Sequence, residues 1–198
     1  SLDNVARAKG ELVEALGPQG IAVLNADDGR VAAMGASHSG RTVFYGLDSG
    51  DLRAKGIQEG PRAISFTLYG PLLPHEVQVA VGMPGRHNVY NALAAAACAA
   101  SLGADAEAIA EGLEDFQPTE MRLQVEELPN GATVLNDAYN ASPASMRAAL
   151  ATLKNLAEGF KIAVLGDMLE LGPEAPELHR DVGKLAADIV DYLIVVGP

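Results

Sequence analysis

One cysteine, Cys98, occurs in 198 residues, so no disulfide framework can form within the chain and a reducing compartment is its natural home. Cys98 sits in an alanine-rich run and reads as a small buried hydrophobe. Positive charge is scarce as well: 14 Lys and Arg face 26 Asp and Glu, a formal net charge of −12. Holding a nucleic-acid backbone requires clustered cations, so no nucleic-acid partner is expected, whereas a single nucleotide needs only a few local donors. Every long apolar run is interrupted by charge, Gly or Pro, and no charged-then-apolar leader opens the chain. No transmembrane segment is expected, and the protein reads as cytoplasmic. Three motifs are missing: a zinc-type Cys/His spacing, a Ser-His-Asp pattern, and the Gly-x-x-x-x-Gly-Lys-Ser/Thr phosphate loop.

What is present suits a packed core. Hydrophobic residues make up 48% and charged residues 20%, and the length fits one large domain or two small ones. The chain opens at Ser1 without methionine and closes at Gly197-Pro198 directly after a strand-like run, so both ends read as cut.

Leu2, Val5, Leu12, Val13 and Leu16 recur at helical spacing until Gly17-Pro18 stops the run. Residues 21–24 read as a buried strand, followed by the turn former Asp27-Asp28-Gly29, and residues 42–45 as another strand. Residues 64–68 and 77–81 alternate in polarity, which predicts an antiparallel pair with one wetter face. A long central helix is expected from Asn88 to about residue 102 and a shorter one over 105–113. A domain boundary is placed near residues 116–120, giving domains 1–118 and 119–198. Beyond it, Pro129-Asn130-Gly131 marks a hairpin, and Ser142-Pro143 starts a helix as N-cap and first helical residue. Strand 162–165, a helix carrying Leu178, Val182, Leu185 and Ile189, and a last strand predict a parallel α/β sheet.

Four stretches carry candidate chemistry. Lys9 lies four residues after Val5 and three before Leu12, inside the first apolar stripe. A buried ammonium is costly unless paired or neutral, and spacing alone favours a lysine that snorkels its charge to water. His87, Asn88 and Asn91 share one face at a helix start, where backbone amides suit a polar or anionic ligand. An asparagine amide matches the N6 donor and N7 acceptor of adenine together, although capping and loop roles explain the pair equally well. Asp137, in Asn136-Asp137-Ala138-Tyr139-Asn140, follows a strand and precedes a helix, where open α/β sheets bind ligands and where turn aspartates are also common. Gly166-Asp167-Met168-Leu169-Glu170-Leu171-Gly172 offers two carboxylates for an amine or a metal, or simply a solvated loop.

Together these stretches resemble the Mur ligase family. Gly85-Arg86-His87-Asn88-Val89-Tyr90-Asn91 is similar to the family's adenine-side motif. Residues 136–143 with Met146-Arg147, residues 165–172, and Ala8-Lys9-Gly10-Glu11 resemble the branch that adds D-alanyl-D-alanine to a UDP-N-acetylmuramoyl-tripeptide. The resemblance implies an α/β fold: the later part of a central ATP-binding domain with a mixed sheet, then a truncated Rossmann-like C-terminal domain. It implies a monomer using ATP and Mg²⁺, with an acyl-phosphate intermediate. Lys9 matches a lysine that takes up CO₂ as a carbamate and helps hold Mg²⁺. Asn88 and Asn91, with His87 beside them, match the adenine side, Arg122 an arginine reaching ATP, and Asp137 an aspartate near the ribose. Tyr139 and Asn140 fall near the phosphates or the substrate.

The departures are the missing phosphate loop, the missing sugar-gripping domain and the missing metal-binding glutamate; a family histidine ligand would fall just before Ser1. Another Mur-type or folylpolyglutamate-type amide ligase and a non-catalytic nucleotide-binding module are the competing readings. The chain by itself is expected not to turn over ATP. Phosphate release from the purified chain that requires both UDP-tripeptide and D-alanyl-D-alanine refutes this.

Overall fold

The computed structural model describes residues 2–156 and 159–197; the end residues Ser1 and Pro198 lie outside the described set. The chain divides into two compact units, one built from residues up to Gln58 with Ile64–Gly82 and Arg86–Phe116, the other from Glu59–Ala63, Met83–Gly85 and the residues from Gln117 onward.

In the first unit α1 (Leu2–Glu14) precedes β1 (Ile21–Asn25), α2 (Gly29–Met34) and β2 (Arg41–Gly46). Strands β3 (Leu52–Glu59), β4 (Ile64–Tyr69) and β5 (Val77–Val81) follow, then α3 (His87–Ser101) and α4 (Ala106–Glu114). One sheet runs in the order β1-β2-β3-β4-β5. Its first three strands pair in parallel, and β4 and β5 pair antiparallel from Ile64 opposite Val81 to Leu68 opposite Val77. The sheet is therefore mixed, as the resemblance implied. Strand β4 buries every second residue (Ile64, Phe66 and Leu68), so the wetter face expected of this pair is present.

Helix α3 owes its form to an alanine-rich sequence with high intrinsic helicity. It buries Asn88, Val89, Ala92, Leu93, Ala96 and Ala97 and packs over β1, β2 and β4, with α4 beside it. The small side chains let the helix approach the sheet closely. Only one side is used, however. Cys98 is exposed, which corrects the expectation of a buried thiol. It lies seven residues after Asn91 and three after Ala95, on the outward side of the helix, and all three are exposed.

Helix α1 forms where expected but does not bury its apolar stripe. Its contact seam runs through Gly10 and Val13, with Leu16, Val31 and Met34 packed around Val13, Ala22 and Leu24. Leu2, Val5 and Leu12 are 68%, 55% and 73% exposed. Lys9 falls on the exposed side, in keeping with the water-reaching lysine that spacing alone favours. The seam is narrow because the residue at its centre is a glycine facing the Met34 side chain. Two elements were not expected at all. Strand β3 (LRAKGIQE) is charged and broken by glycine, and it buries only Leu52 and Ala54. Helix α2 is six residues long and capped by Asp28, whose carboxylate accepts the Arg30 and Val31 amides.

The second unit begins with the hairpin β6 (Gln124–Glu127) and β7 (Thr133–Asn136), turned at Asn130-Gly131 with Gly131 at φ +82°. That left-handed φ is what glycine supplies without a Cβ clash. Helix α5 (Pro143–Leu156) starts as expected, because the Ser145 amide donates to Ser142 Oγ at 3.1 Å and the Ser142 amide to Ser145 Oγ at 2.9 Å. Strands β8 (Ile162–Gly166) and β9 (Tyr192–Val196) pair in parallel, with α6 (Ala175–Ala187) between them in sequence. Leu150, Ala163, Met168, Val182 and Ala186 form the core of this unit. The continuous apolar run of β8 is packed on one face only: Ile162 and Val164, with Tyr192, Ile194 and Val196 of β9, are exposed. No helix among the described residues is long and apolar enough to cross a membrane.

Phe66, 1% exposed, is among the largest fully buried side chains. Phe66→Ala is expected to destabilise the chain by about 3–5 kcal/mol through lost transfer energy and a residual cavity. Urea unfolding checks this as a lowered midpoint with an unchanged slope.

Candidate functional site

Helix α3 begins at His87 with Arg86 as its cap residue, and Arg86 makes no side-chain capping hydrogen bond. Asn88 lies inside the helix and is 3% exposed, so the capping role open to it in the sequence is not the one it takes. The Nδ2 of Asn91 donates to Asn88 Oδ1 at 3.0 Å. The buried amide thus orients the exposed one, and Asn91 retains a carbonyl oxygen and a second N–H for a ligand. That is the donor–acceptor pair adenine requires. His87, half-buried, stands four residues before Asn91 on the same side.

The strongest polar cluster of the first unit was not read from the sequence. Asp27, just past β1, accepts the backbone amides of Leu47 at 2.6 Å, Asp48 at 3.3 Å and Ser49 at 3.2 Å. The Tyr90 hydroxyl of α3 donates to the same carboxylate at 3.0 Å. Asn25 Oδ1 accepts the Asp27 amide at 3.0 Å, and the glycine at position 46 is required, since a Cβ there would lie 2.6 Å from Asp27 Oδ1. Burial by itself raises the Asp27 carboxyl, but the Leu47 amide, the Tyr90 hydroxyl and the Asp48 and Ser49 amides outweigh it, and the net shift is downward from 3.8. Tyr90 is pushed up to about 12 by burial, then by its bond to Asp27 and that carboxylate's charge. An acidic residue directly after a strand was the available signal, the same one that drew attention to Asp137.

In the second unit the structure brings Arg122, Asp137 and Tyr139 together. Asp137 Oδ1 accepts the Leu123 amide at 3.1 Å, fourteen residues away, a tertiary tie rather than a local turn. The Tyr139 amide donates to the Met121 carbonyl at 3.2 Å, and the Arg122 guanidinium carbon stands 4.0 Å from the centroid of the Tyr139 ring. A guanidinium on an aromatic face is held by charge–quadrupole attraction while its edge stays open to an anion. Met121 and Leu123 flank Arg122 at φ 59° and 47°, left-handed values that cost a non-glycine residue about 1–3 kcal/mol each. Asn140 is exposed and closes a local bond, accepting the Ala141 amide at 2.9 Å.

The loop after β8 is fastened by a histidine also missed in the sequence. The Met168 amide donates to His179 Nε2 at 3.0 Å, and His179 Nδ1 donates to the Ala175 carbonyl at 2.7 Å. A half-open cavity of about 220 Å³ lies there, lined by Met146, Asp167, Met168, His179 and Leu193 among others. Asp167 and Glu170 are exposed, and among the described residues no group of three or more His, Cys, Asp or Glu could hold a metal ion. Lys9 is exposed on α1, away from the contact seam at Gly10 and Val13.

The chain consists of two α/β units with polar side chains gathered at strand and helix ends, and comparison with known proteins identifies the family. Residues 1–99 match the Mur ligase middle domain and residues 121–198 the Mur ligase, glutamate ligase domain. The chain belongs to the Mur ligase family. It is 37% identical over 201 residues to the UDP-N-acetylmuramoyl-tripeptide--D-alanyl-D-alanine ligase of Escherichia coli (strain K12), covering 100% of this chain and 44% of that protein. It is 40% identical over 208 residues to the protein of the same name from Mycobacterium tuberculosis (strain ATCC 25618 / H37Rv), covering 100% of this chain and 40% of that one. The crystal structure of MurF from Acinetobacter baumannii superposes with a TM-score of 0.91 at 35% identity, covering 100% of this chain and 43% of that chain. The chain thus spans less than half the length of the curated relatives it matches.

Because the Asp27 carboxyl is lowered in the folded state, its stabilising contribution is present above about pH 3.8 and is lost as pH falls through the lower folded value. Thermal melts between pH 5 and pH 3 are expected to fall more steeply for the wild-type chain than for Asp27→Asn, which has no proton to take up there. Parallel melting curves would show that this carboxylate is not linked to stability.

Proposed function

We propose that this chain serves an ATP-dependent amide ligase that joins D-alanyl-D-alanine to UDP-N-acetylmuramoyl-tripeptide in the cytoplasm, acting as a monomer. The observation that carries the reading is likeness over the entire chain to relatives bearing that name, with the candidate side chains of both units inside the matched residues. In this reading residues 1–118 form the ATP-binding part and residues 119–198 the ligase part. Asn91, oriented by Asn88 and with His87 beside it, reads the adenine edge. Arg122, its guanidinium steadied on Tyr139, supplies positive charge to a phosphate, and Asp137 accepts from ribose hydroxyls. Tyr139 and Asn140 stand for contacts to phosphate or substrate.

The reaction proceeds in two steps. The terminal carboxylate of the tripeptide attacks the γ-phosphorus of ATP, forming an acyl phosphate and releasing ADP. The free amine of D-alanyl-D-alanine then attacks the acyl carbon, the C–O bond to phosphate breaks, and an amide and inorganic phosphate leave with loss of the amine proton. Positioning and electrostatic stabilisation carry most of such a phosphoryl transfer. ATP and Mg²⁺ are the cofactors this reading calls for. The described residues do not by themselves make a magnesium site, so the roles given to them are binding and orientation. Lys9 is proposed to take up CO₂ as a carbamate, releasing a proton; intact mass with bicarbonate present reads this as one added CO₂.

Assayed in the full-length protein, phosphate release from ATP is expected to depend on both the UDP-tripeptide and D-alanyl-D-alanine. Asn91→Ala is expected to raise the KM for ATP by about tenfold with the fold intact. Preference for a single amino acid over the dipeptide would move the assignment to another Mur-type or folylpolyglutamate-type ligase. Nucleotide binding without turnover would favour a non-catalytic module.

A further inference from the structure

We propose that Asp27 and Tyr90 are positioning residues that set the adenine preference of the Asn88–Asn91 pair, an inference that rests on the nucleotide reading given above. The first turn of α3 is where Asn88 and Asn91 sit, and it has no side-chain cap of its own. A helix start opens more readily than the helix interior. Tyr90 lies between the two asparagines, and its hydroxyl ties this turn to the end of the parallel strands.

The acceptor of that tie is unusually well fixed. Asp27 cannot swing, because the amides of Leu47, Asp48 and Ser49 hold both of its oxygens. Asn25 Oδ1 holds its own amide, and the Cβ-free Gly46 lets the β2–β3 turn close onto it. The hydrogen bond to Tyr90 is charge-assisted, the stronger kind, and a negative charge near a helix N-terminus is favourable in its own right. A bidentate amide contact to a base discriminates only when donor and acceptor arrive in register, so rotation or fraying of this turn would blur the difference between an amine and a carbonyl at position 6 of the purine.

The test uses the purified chain, ADP, and inosine diphosphate, which carries a carbonyl in place of the N6 amine. Binding is followed by the side-chain amide resonances of Asn88 and Asn91, and amide hydrogen exchange is measured without nucleotide. Wild type is expected to prefer ADP by about tenfold. Tyr90→Phe, which removes a single hydroxyl, is expected to cut that ratio to about threefold or less and to speed exchange over residues 87–91; Asp27→Asn is expected to do the same. A variant that binds both nucleotides more weakly at an unchanged ratio would show a merely structural role and overturn the proposal. So would an unchanged ratio with unchanged exchange. If neither nucleotide shifts Asn88 or Asn91 in wild type, the adenine reading itself falls and takes the positioning role with it. Wild-type discrimination that survives in both variants removes the positioning role alone.

Discussion

A half-buried carboxylate just past the end of the first strand organises the sheet side of this chain. Partial desolvation disfavours the charged form of Asp27, and the three backbone amides and the phenol that point at it outweigh that and lower its pKa. The partners come from two places in the sequence: the β2–β3 turn supplies the amides and α3 supplies the phenol. One anion therefore fixes a turn and a helix start at once, which apolar contacts do less specifically because they are non-directional.

The second unit applies related logic with a weaker anchor. Asp137 holds the Leu123 amide, and the Tyr139 amide holds the Met121 carbonyl, so the short stretch around Arg122 is tied from both sides. Those ties sustain two left-handed non-glycine residues that an unsupported loop would relax. The arginine is aimed by its backbone and steadied by a ring, an arrangement that limits the side-chain entropy lost when an anion arrives.

Periodicity and turn chemistry carried most of the fold. The β4–β5 pair, α3, α4, the Asn130-Gly131 hairpin and the Ser142-Pro143 helix start all follow from local rules, since in each the residue pattern and the final environment agree. Strand β3 escaped because its pairing, not its side chains, makes it a strand: flanked by β2 and β4, it needs no apolar alternation of its own. The exposure of Leu2, Val5 and Leu12 around Lys9 was not legible, because an apolar stripe does not say whether anything packs on it. Cys98 failed for the mirrored reason, an alanine-rich helix hiding which side faces inward. Of the candidate site, Asn88, Asn91, Arg122 and Asp137 were singled out through motif resemblance. Asp27, Tyr90 and His179 were not, because Asp27 and Tyr90 meet 63 residues apart in sequence and the remaining partners are backbone groups that no side-chain pattern marks.

The bare face of β8 and β9 sets two forces against each other in solution. Ile162, Val164, Tyr192, Ile194 and Val196 present adjoining greasy surface to water, which favours self-adhesion. A net charge of −12 holds neighbouring molecules apart, but only across a screening length that shrinks as ions are added. Concentrated stocks of this chain should therefore stay clear in dilute buffer and turn cloudy as ionic strength climbs, opposite to a protein whose clumping arises from attraction between unlike charges.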